Sequence, residues 1–317
     1  MENQPSIMKK KPGRLKRRIL RFFLVFTLLI LVTGYIGLYH IAPYAIVMPP
    51  RADCTAYEPE IYGVDAESVL IQTKDNIELN GYWSKSKQDS VRGVIIFVHG
   101  IGGCKEAYLG SASNLAEQGI ASVLFDNRAH GQSSGEYSTY GFKEKQDISE
   151  IVDYIKSKNP EVPVGIWGNS LGGAIAIQAM EYDERIEFGI IESTFTDLGQ
   201  IVFDYKKRFL KGIGLRFASD IALKEAGKIA DFDPAQVSPL ESVKNVEQPI
   251  FIAHGDSDKN IKFEYGQELY KHAKSPEKEF YLVKGGQHYG LAKTGGEDYV
   301  NRIKAFIDRN LDSSSKD

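Results

Sequence analysis

The sequence predicts an α/β fold: a mainly parallel sheet with helices on both faces, preceded by one apolar N-terminal helix. Three observations lead there. Between Val94 and Leu311, short apolar runs alternate with longer amphipathic ones, as strands buried on both faces alternate with crossover helices. One run, Val164 to Trp167, halts at Gly168-Asn169-Ser170-Leu171-Gly172, and a small-residue stretch follows at once. Glycine-containing loops follow later strands and carry Asp256, Asp258 and His288 in that order.

The N-terminus is set apart by charge. Residues 1–21 hold eight of the 39 Lys and Arg and one of the 42 acids, leaving 31 basic and 41 acidic residues beyond, a net charge of −10. A remainder that acidic argues against a nucleic-acid surface. From Phe22 to Tyr39 no residue is charged, and a helix of that length reaches roughly 27 Å, close to a bilayer core. The expected division is a basic cytoplasmic segment over 1–21 and a transmembrane anchor over 22–40. Because basic flanks stay on the cytoplasmic side, the rest of the chain is expected across the membrane. A cleaved signal peptide competes with this reading, but Pro43-Tyr44-Ala45 is a poor cleavage site. Pro43, Pro49 and Pro50 then mark a linker over 41–64.

The globular domain is expected over 65–312. Val69 to Thr73 and Ile77 to Ser84 form a hairpin around Lys74-Asp75-Asn76. Val94 to Val98, Ala121 to Phe125 and Val164 to Trp167 follow as strands, with helices at Ala107 to Gln118 and Phe142 to Lys158 between them. Leu171 to Met180 is a helix; Phe188 to Ile191, Ile250 to Ala253 and Glu279 to Val283 are the later strands, and Tyr299 to Leu311 closes the chain. The tail 313–317 lacks the apolar content to fold. About 50 residues, 197–247, interrupt the alternation with helical patterns and read as a lid. Ile201, Tyr205, Phe209 and Ile213 recur at fourfold spacing there, beside Lys206, Lys207, Arg208, Lys211 and Arg216. Two readings stand: a cap helix with solvated basic residues, or a lid that meets the membrane surface.

Chemistry concentrates at Ser170. A strand reversing into a helix within two residues forces the serine into a strained conformation at the top of the sheet, and Gly168 and Gly172 remove side chains that would collide there. A serine hydroxyl needs a base and an orienting acid. Of six histidines, His288 fits best, lying in Gly285-Gly286-Gln287-His288 after the last strand; serine, acid, histidine is the chain order for such a sheet. Asp258 is the chosen acid, with Asp256 nearer the strand and tied to the turn, and Glu192, just after the strand ending at Ile191, the third candidate. Leu171 N–H, at a helix N-terminus, and Ile101 N–H, in His99-Gly100-Ile101-Gly102-Gly103, are the expected oxyanion donors. That glycine loop lacks the spacing and the Lys-Ser/Thr ending of a phosphate cradle. Cys54 and Cys104 are too few for a zinc site or a disulfide scaffold, and whether they pair stays open.

With these residues in place, the chain resembles the α/β-hydrolase superfamily over roughly residues 65 to 312. The likeness is carried by His99-Gly100, by Phe125-Asp126-Asn127-Arg128-Ala129-His130-Gly131-Gln132-Ser133-Ser134-Gly135, by the Ser170 elbow, by His254-Gly255-x-x-Asp258 and by His288. Within the superfamily it is similar to the serine aminopeptidase, monoacylglycerol lipase and Bem46-like branch. The resemblance implies an α/β-hydrolase fold with a helical lid, a serine hydrolase needing neither cofactor nor metal, and Asp258 as the acid. The sequence departs at Asn127-Arg128-Ala129-His130, where relatives often have Arg-Gly-His, and at Cys104, commonly a small polar residue. The leading expectation is a membrane-anchored hydrolase of carboxylic esters, lipid acyl esters among them. An amidase or aminopeptidase, or a catalytically silent binding scaffold, are the alternatives, since fold does not determine substrate.

Overall fold

The computed structural model describes residues 13–209, 212 and 214–313. Of the sequence expectations, Lys9, Lys10, Lys11, Lys211, Ile213 and the tail from 314 on lie outside the described residues.

The sheet is built from β1 (Ala66–Gln72), β2 (Glu78–Ser84), β3 (Gly93–Val98), β4 (Ile120–Phe125), β5 (Val164–Asn169), β6 (Phe188–Glu192), β7 (Ile250–Gly255) and β8 (Lys278–Val283). Their spatial order is β1-β2-β4-β3-β5-β6-β7-β8. The opening hairpin and the β2–β4 pair are antiparallel, and every later pairing is parallel. Alternation along the strands decides which face each side chain serves. Val94, Ile96 and Val98 of β3 join one core cluster with Val123 and Phe125 of β4, while Ile95, Phe97 and Leu124 join the other.

Helices cover both clusters. On the first face lie Ile148, Ile151 and Ile155 of one helix (Glu144–Lys158) and Ala174 and Ile177 of another (Leu171–Tyr182). On the second lie Leu109, Ala112 and Leu115 (helix Leu109–Ala116) and Tyr299, Ile303 and Phe306 (helix Leu291–Ser313). The closing helix starts earlier than the periodicity suggests because two helices join across a kink at Gly296. The segment expected to form a lid comprises helices Leu198–Phe209, Arg216–Ala230 and Pro239–Val243 with one 3₁₀ turn, Pro234–Gln236. Of the basic residues named above, Arg208 donates to the Asn260 carbonyl (3.0 Å) and Arg216 to Asp220 and Gln200 (3.0 and 2.9 Å).

The N-terminal helix is longer than its uncharged stretch. It runs as Arg14–Ile36, passes through a wide π turn at Gly37–Ile41, and continues as Ala42–Val47. Over Arg14–Val47 it is long and apolar enough to cross a membrane. Where a linker was expected from residue 41, the helix continues; Pro43 sits in the first turn of the last segment, where its missing N–H costs little. That segment is docked on the domain. Val47 is fully buried and its carbonyl accepts from Ser138 N (2.8 Å), while the Tyr140 hydroxyl donates to the Ile46 carbonyl (2.5 Å). Beyond it, Arg51 donates to the carbonyls of Gly131 (2.9 Å), Ser133 (2.7 Å) and Gly135 (2.6 Å). Cys54 and Cys104 form a disulfide across a separation of 50 residues. Closing a loop of that length is worth about 4 kcal/mol on chain-entropy grounds.

Candidate active site

Ser170 lies between β5 and the helix that begins at Leu171, with φ 57° and ψ −120°. A non-glycine residue holds a positive φ only when its surroundings over-determine it. Here Ser170 N donates to the Glu192 carbonyl (2.9 Å), and the Thr194 hydroxyl donates to the Ser170 carbonyl (2.7 Å). The two glycines are sterically required. A Cβ on Gly168 would lie 2.2 Å from the Gly172 carbonyl oxygen, and one on Gly172 would lie 1.9 Å from the Val98 carbonyl oxygen.

The structure brings Ser170, His288 and Asp258 into one chain of contacts. His288 Nε2 is 3.0 Å from Ser170 Oγ and Nδ1 is 2.7 Å from Asp258 Oδ2. Two backbone bonds join the loops that bear the acid and the imidazole, from Asp256 N to the Val283 carbonyl (3.2 Å) and from Ser257 N to the Gly286 carbonyl (3.0 Å). Asp258 Oδ1 accepts from Asn260 N (2.7 Å) and Ile261 N (2.9 Å), and His254 Nε2 is 3.4 Å from Oδ2. Burial acts to raise the Asp258 pKa, but hydrogen bonds from His254, His288 and the Ile261 N–H outweigh it and hold the carboxyl well below its ordinary range. An ionised Asp258 keeps the proton of His288 on Nδ1 and leaves Nε2 to accept from the serine.

The competing acids point elsewhere. Asp256 accepts from Gly285 N (2.7 Å) and Ser257 Oγ (3.1 Å), and the Glu192 carboxylate accepts from the Tyr299 hydroxyl. Among the other histidines, the rings of His99, His130, His254 and His272 meet the carbonyls of Gly100, Arg128, Ile261 and Glu268 instead.

Ile101 and Leu171 flank the serine. Neither backbone N–H has a backbone acceptor among the described residues, leaving two donors beside Ser170. His99 shapes the first of them, because its Nδ1–H meets the Gly100 carbonyl (2.8 Å) while Nε2 accepts from Asn127 N (3.0 Å). Burial, with His130 close by, lowers the His99 pKa from 6.5 to about 4, so the imidazole stays neutral and keeps this bonding pattern at ordinary pH. Pro50 packs against Gly102 and the disulfide holds Cys104 at the end of the loop. The sequence left this second support open; its only signal was one cysteine before the domain and one just after the glycine loop.

Ser170 opens onto a cavity of about 570 Å³ whose walls are almost wholly apolar. Leu171, Phe195, Ile201 and Ala222 contribute from the domain and lid, and Ala42, Ala45 and Ile46 come from the end of the N-terminal helix. Cys54, Cys104 and Glu106 are grouped as cation ligands would be, but the sulfurs are spent on the disulfide and Glu106 pairs with Lys105 (3.1 Å).

Residues 89–231 match the family described as Serine aminopeptidase, S33. The chain is 27% identical over 197 residues to the uncharacterized protein YqkD of Bacillus subtilis, covering 61% of this chain and 63% of YqkD. It is 26% identical over 223 residues to the lysophosphatidylserine lipase ABHD12 of Mus musculus, covering 62% of this chain and 49% of the lipase. The match thus spans less than two thirds of YqkD and about half of the lipase. Among solved structures, the esterase Pf2001 of Pyrococcus furiosus superposes with a TM-score of 0.68 at 26% identity, covering 83% of this chain and 99% of the esterase.

Proposed function

Given the α/β-hydrolase fold and the likeness to esterases and lipases, we propose that the chain is a membrane-anchored serine hydrolase of carboxylic esters with long apolar acyl groups, lipid esters foremost. The observation that carries this reading is a hydroxyl within hydrogen-bond distance of an oriented imidazole, at the mouth of an apolar cavity partly walled by the N-terminal helix. His288 takes the Ser170 proton as Oγ attacks the ester carbonyl, and the Ile101 and Leu171 N–H groups stabilise the oxyanion. The same proton passes to the departing alkoxide, and water, activated by His288, then releases the acid from the acyl-enzyme. An apolar wall receives an acyl chain at roughly 0.8 kcal/mol per buried methylene.

A series of p-nitrophenyl esters of increasing chain length, set against aminoacyl amides, tests this. Activity is expected to rise with chain length, and Ala45→Phe, which fills the cavity from the anchor side, should move the optimum to shorter chains. Turnover of amides with no ester activity would favour the aminopeptidase reading. A chain-length profile unchanged in Ala45→Phe would remove the anchor from the acyl site.

In the same reading the N-terminus is cytoplasmic and the hydrolase domain lies on the opposite side, because the cationic run precedes the apolar helix. The disulfide supports this placement, since such bonds persist in oxidising compartments. The expected result of proteolysis on sealed cells is digestion of the domain from outside with the first residues protected. Digestion only from the cytoplasmic face would reverse the orientation, and a shortened soluble product would make the helix a cleaved signal.

A further inference from the structure

A second space is lined by Asn169, the residue before Ser170, and by the oxyanion loop. This cleft, of about 400 Å³, lies beyond the oxyanion loop and is bounded by Tyr108, Asn169, Glu192 and Tyr289. Ile101 lines both spaces. An ester with its carbonyl at Ser170 has room for its acyl part in one space and its alcohol part in the other. Chemistry says which. The departing oxygen takes its proton from His288 Nε2, so the leaving group lies on the His288 side, and it is the cleft, not the acyl cavity, that is bounded by Tyr289 and Gly290, next to His288.

The cleft contains a carboxylate in want of a cation. Glu192 stands beside the nucleophile, because Asn169 and Glu192 are partners in the β5–β6 register and Ser170 N donates to the Glu192 carbonyl. One carboxylate oxygen accepts from Tyr299, and among the described residues no Lys, Arg or His forms an ion pair with it. Burial pushes this carboxyl up; the Tyr299 hydroxyl and, more distantly, the Trp167 indole N–H pull the other way. Beside it Asn169, 8% exposed, has an Oδ1 with no hydrogen-bond partner. Glu192 is half-buried, and a carboxylate so placed without a counter-charge gains from a cation brought against it. The rings of Tyr108 and Tyr289 add the aromatic surface on which ammonium groups bind well.

We propose that this cleft is the leaving-group site and that it selects esters whose alcohol carries an ammonium group, held by Glu192 and Asn169. The inference rests on Ser170 and His288 acting as described above. In the step it governs, the bond from the acyl carbon to the alcohol oxygen breaks, the acyl group stays on Ser170 Oγ, and the proton on His288 Nε2 goes to the alcohol.

Two octanoyl esters that differ by one atom test it: the 2-(dimethylamino)ethyl ester, cationic at neutral pH, and the 3-methylbutyl ester, its uncharged isostere. The full-length wild-type protein in detergent should favour the cationic ester in kcat/KM by about 30-fold, the size expected for one desolvated charge pair. In Glu192→Gln that ratio should fall close to unity. Should the glutamine variant fail to fold, Glu192→Asp, which keeps the charge but withdraws it, should lower the ratio part of the way. Equal rates for the two esters in the wild type, or a preference that survives in both variants, would overturn the assignment. Fluorophosphonate labelling of Ser170 separates this failure from the wider one. A protein that labels and cleaves both esters alike loses only the ammonium site, whereas one that neither labels nor cleaves either ester loses the hydrolase reading and the ammonium site with it.

Discussion

Ser170→Ala is expected to abolish both ester turnover and covalent labelling by a fluorophosphonate probe. The substitution removes Oγ, the atom 3.0 Å from His288 Nε2. Removing the nucleophile from a cooperating triad costs on the order of 10⁶-fold in kcat, because base and acid have nothing left to activate. The loss should not come from unfolding. Alanine keeps the Cβ that the elbow already accommodates, and both backbone bonds that hold the strained residue, from Ser170 N to Glu192 and from Thr194 to the Ser170 carbonyl, survive the change. Residual activity should match the contribution of the oxyanion donors and substrate binding alone, about 10³-fold over water. Circular dichroism and intact-protein mass spectrometry after probe treatment make the measurement. A folded Ser170→Ala protein that still takes up one equivalent of probe would place the nucleophile elsewhere.

The parts of this molecule that are legible in its sequence are those governed by local physics. Strands such as Val94 to Val98 reveal themselves because burial on both faces leaves no room for polar residues, and the helix over Glu144–Lys158 because its isoleucines recur on one face. The elbow is legible because its glycines are steric necessities at fixed spacing from Ser170. His288 and Asp258 stand out for a different reason: a sheet with this strand order brings the loops after β7 and β8 towards the end of β5, so residues far apart in sequence can be paired by their place after a strand.

What sequence could not reveal depends on contacts between distant segments. The prolines after residue 41 read as a break, yet Pro43 is helical because it occupies a first turn, and the segment is held by the partners of Ile46, Val47 and Arg51 almost a hundred residues on. The disulfide is of the same kind, since two cysteines announce nothing until Pro50 is seen against Gly102. Glu192 is the sharpest case. As a residue following an apolar strand it is a weak candidate acid; only the β5–β6 register, the hydroxyl of Tyr299 and the missing counter-charge give it a place beside Ser170.

The acid is where these distinctions can be measured. Asp258→Asn is expected to lower kcat on a neutral ester by about 10⁴-fold, with Asp256→Asn and Glu192→Gln costing far less on the same ester. Asp258 Oδ2 is 2.7 Å from His288 Nδ1; an amide in its place offers a donor to that nitrogen, favours the tautomer with its proton on Nε2, and so removes the acceptor for the serine proton. It also removes the negative charge that stabilises the imidazolium formed during attack. Asp256 reaches neither ring nitrogen, because its Oδ1 is engaged with Gly285 N. At neutral pH the variant gives up the stability that the ionised carboxylate supplies, but it should still fold, since the asparagine oxygen can accept from Asn260 N and Ile261 N. Acid titration supplies a second reading with a definite sign. The folded-state pKa of Asp258 lies below its ordinary 3.8, so the folded protein binds this proton less readily than the unfolded chain does. Its contribution to stability is therefore complete above that ordinary value and is lost as pH falls towards the folded one. Wild type should show this increment of acid destabilisation and Asp258→Asn should lack it. A well-folded Glu192→Gln protein more impaired on the neutral ester than Asp258→Asn would move the acid to the end of β6, and the ammonium site proposed there would fall with it.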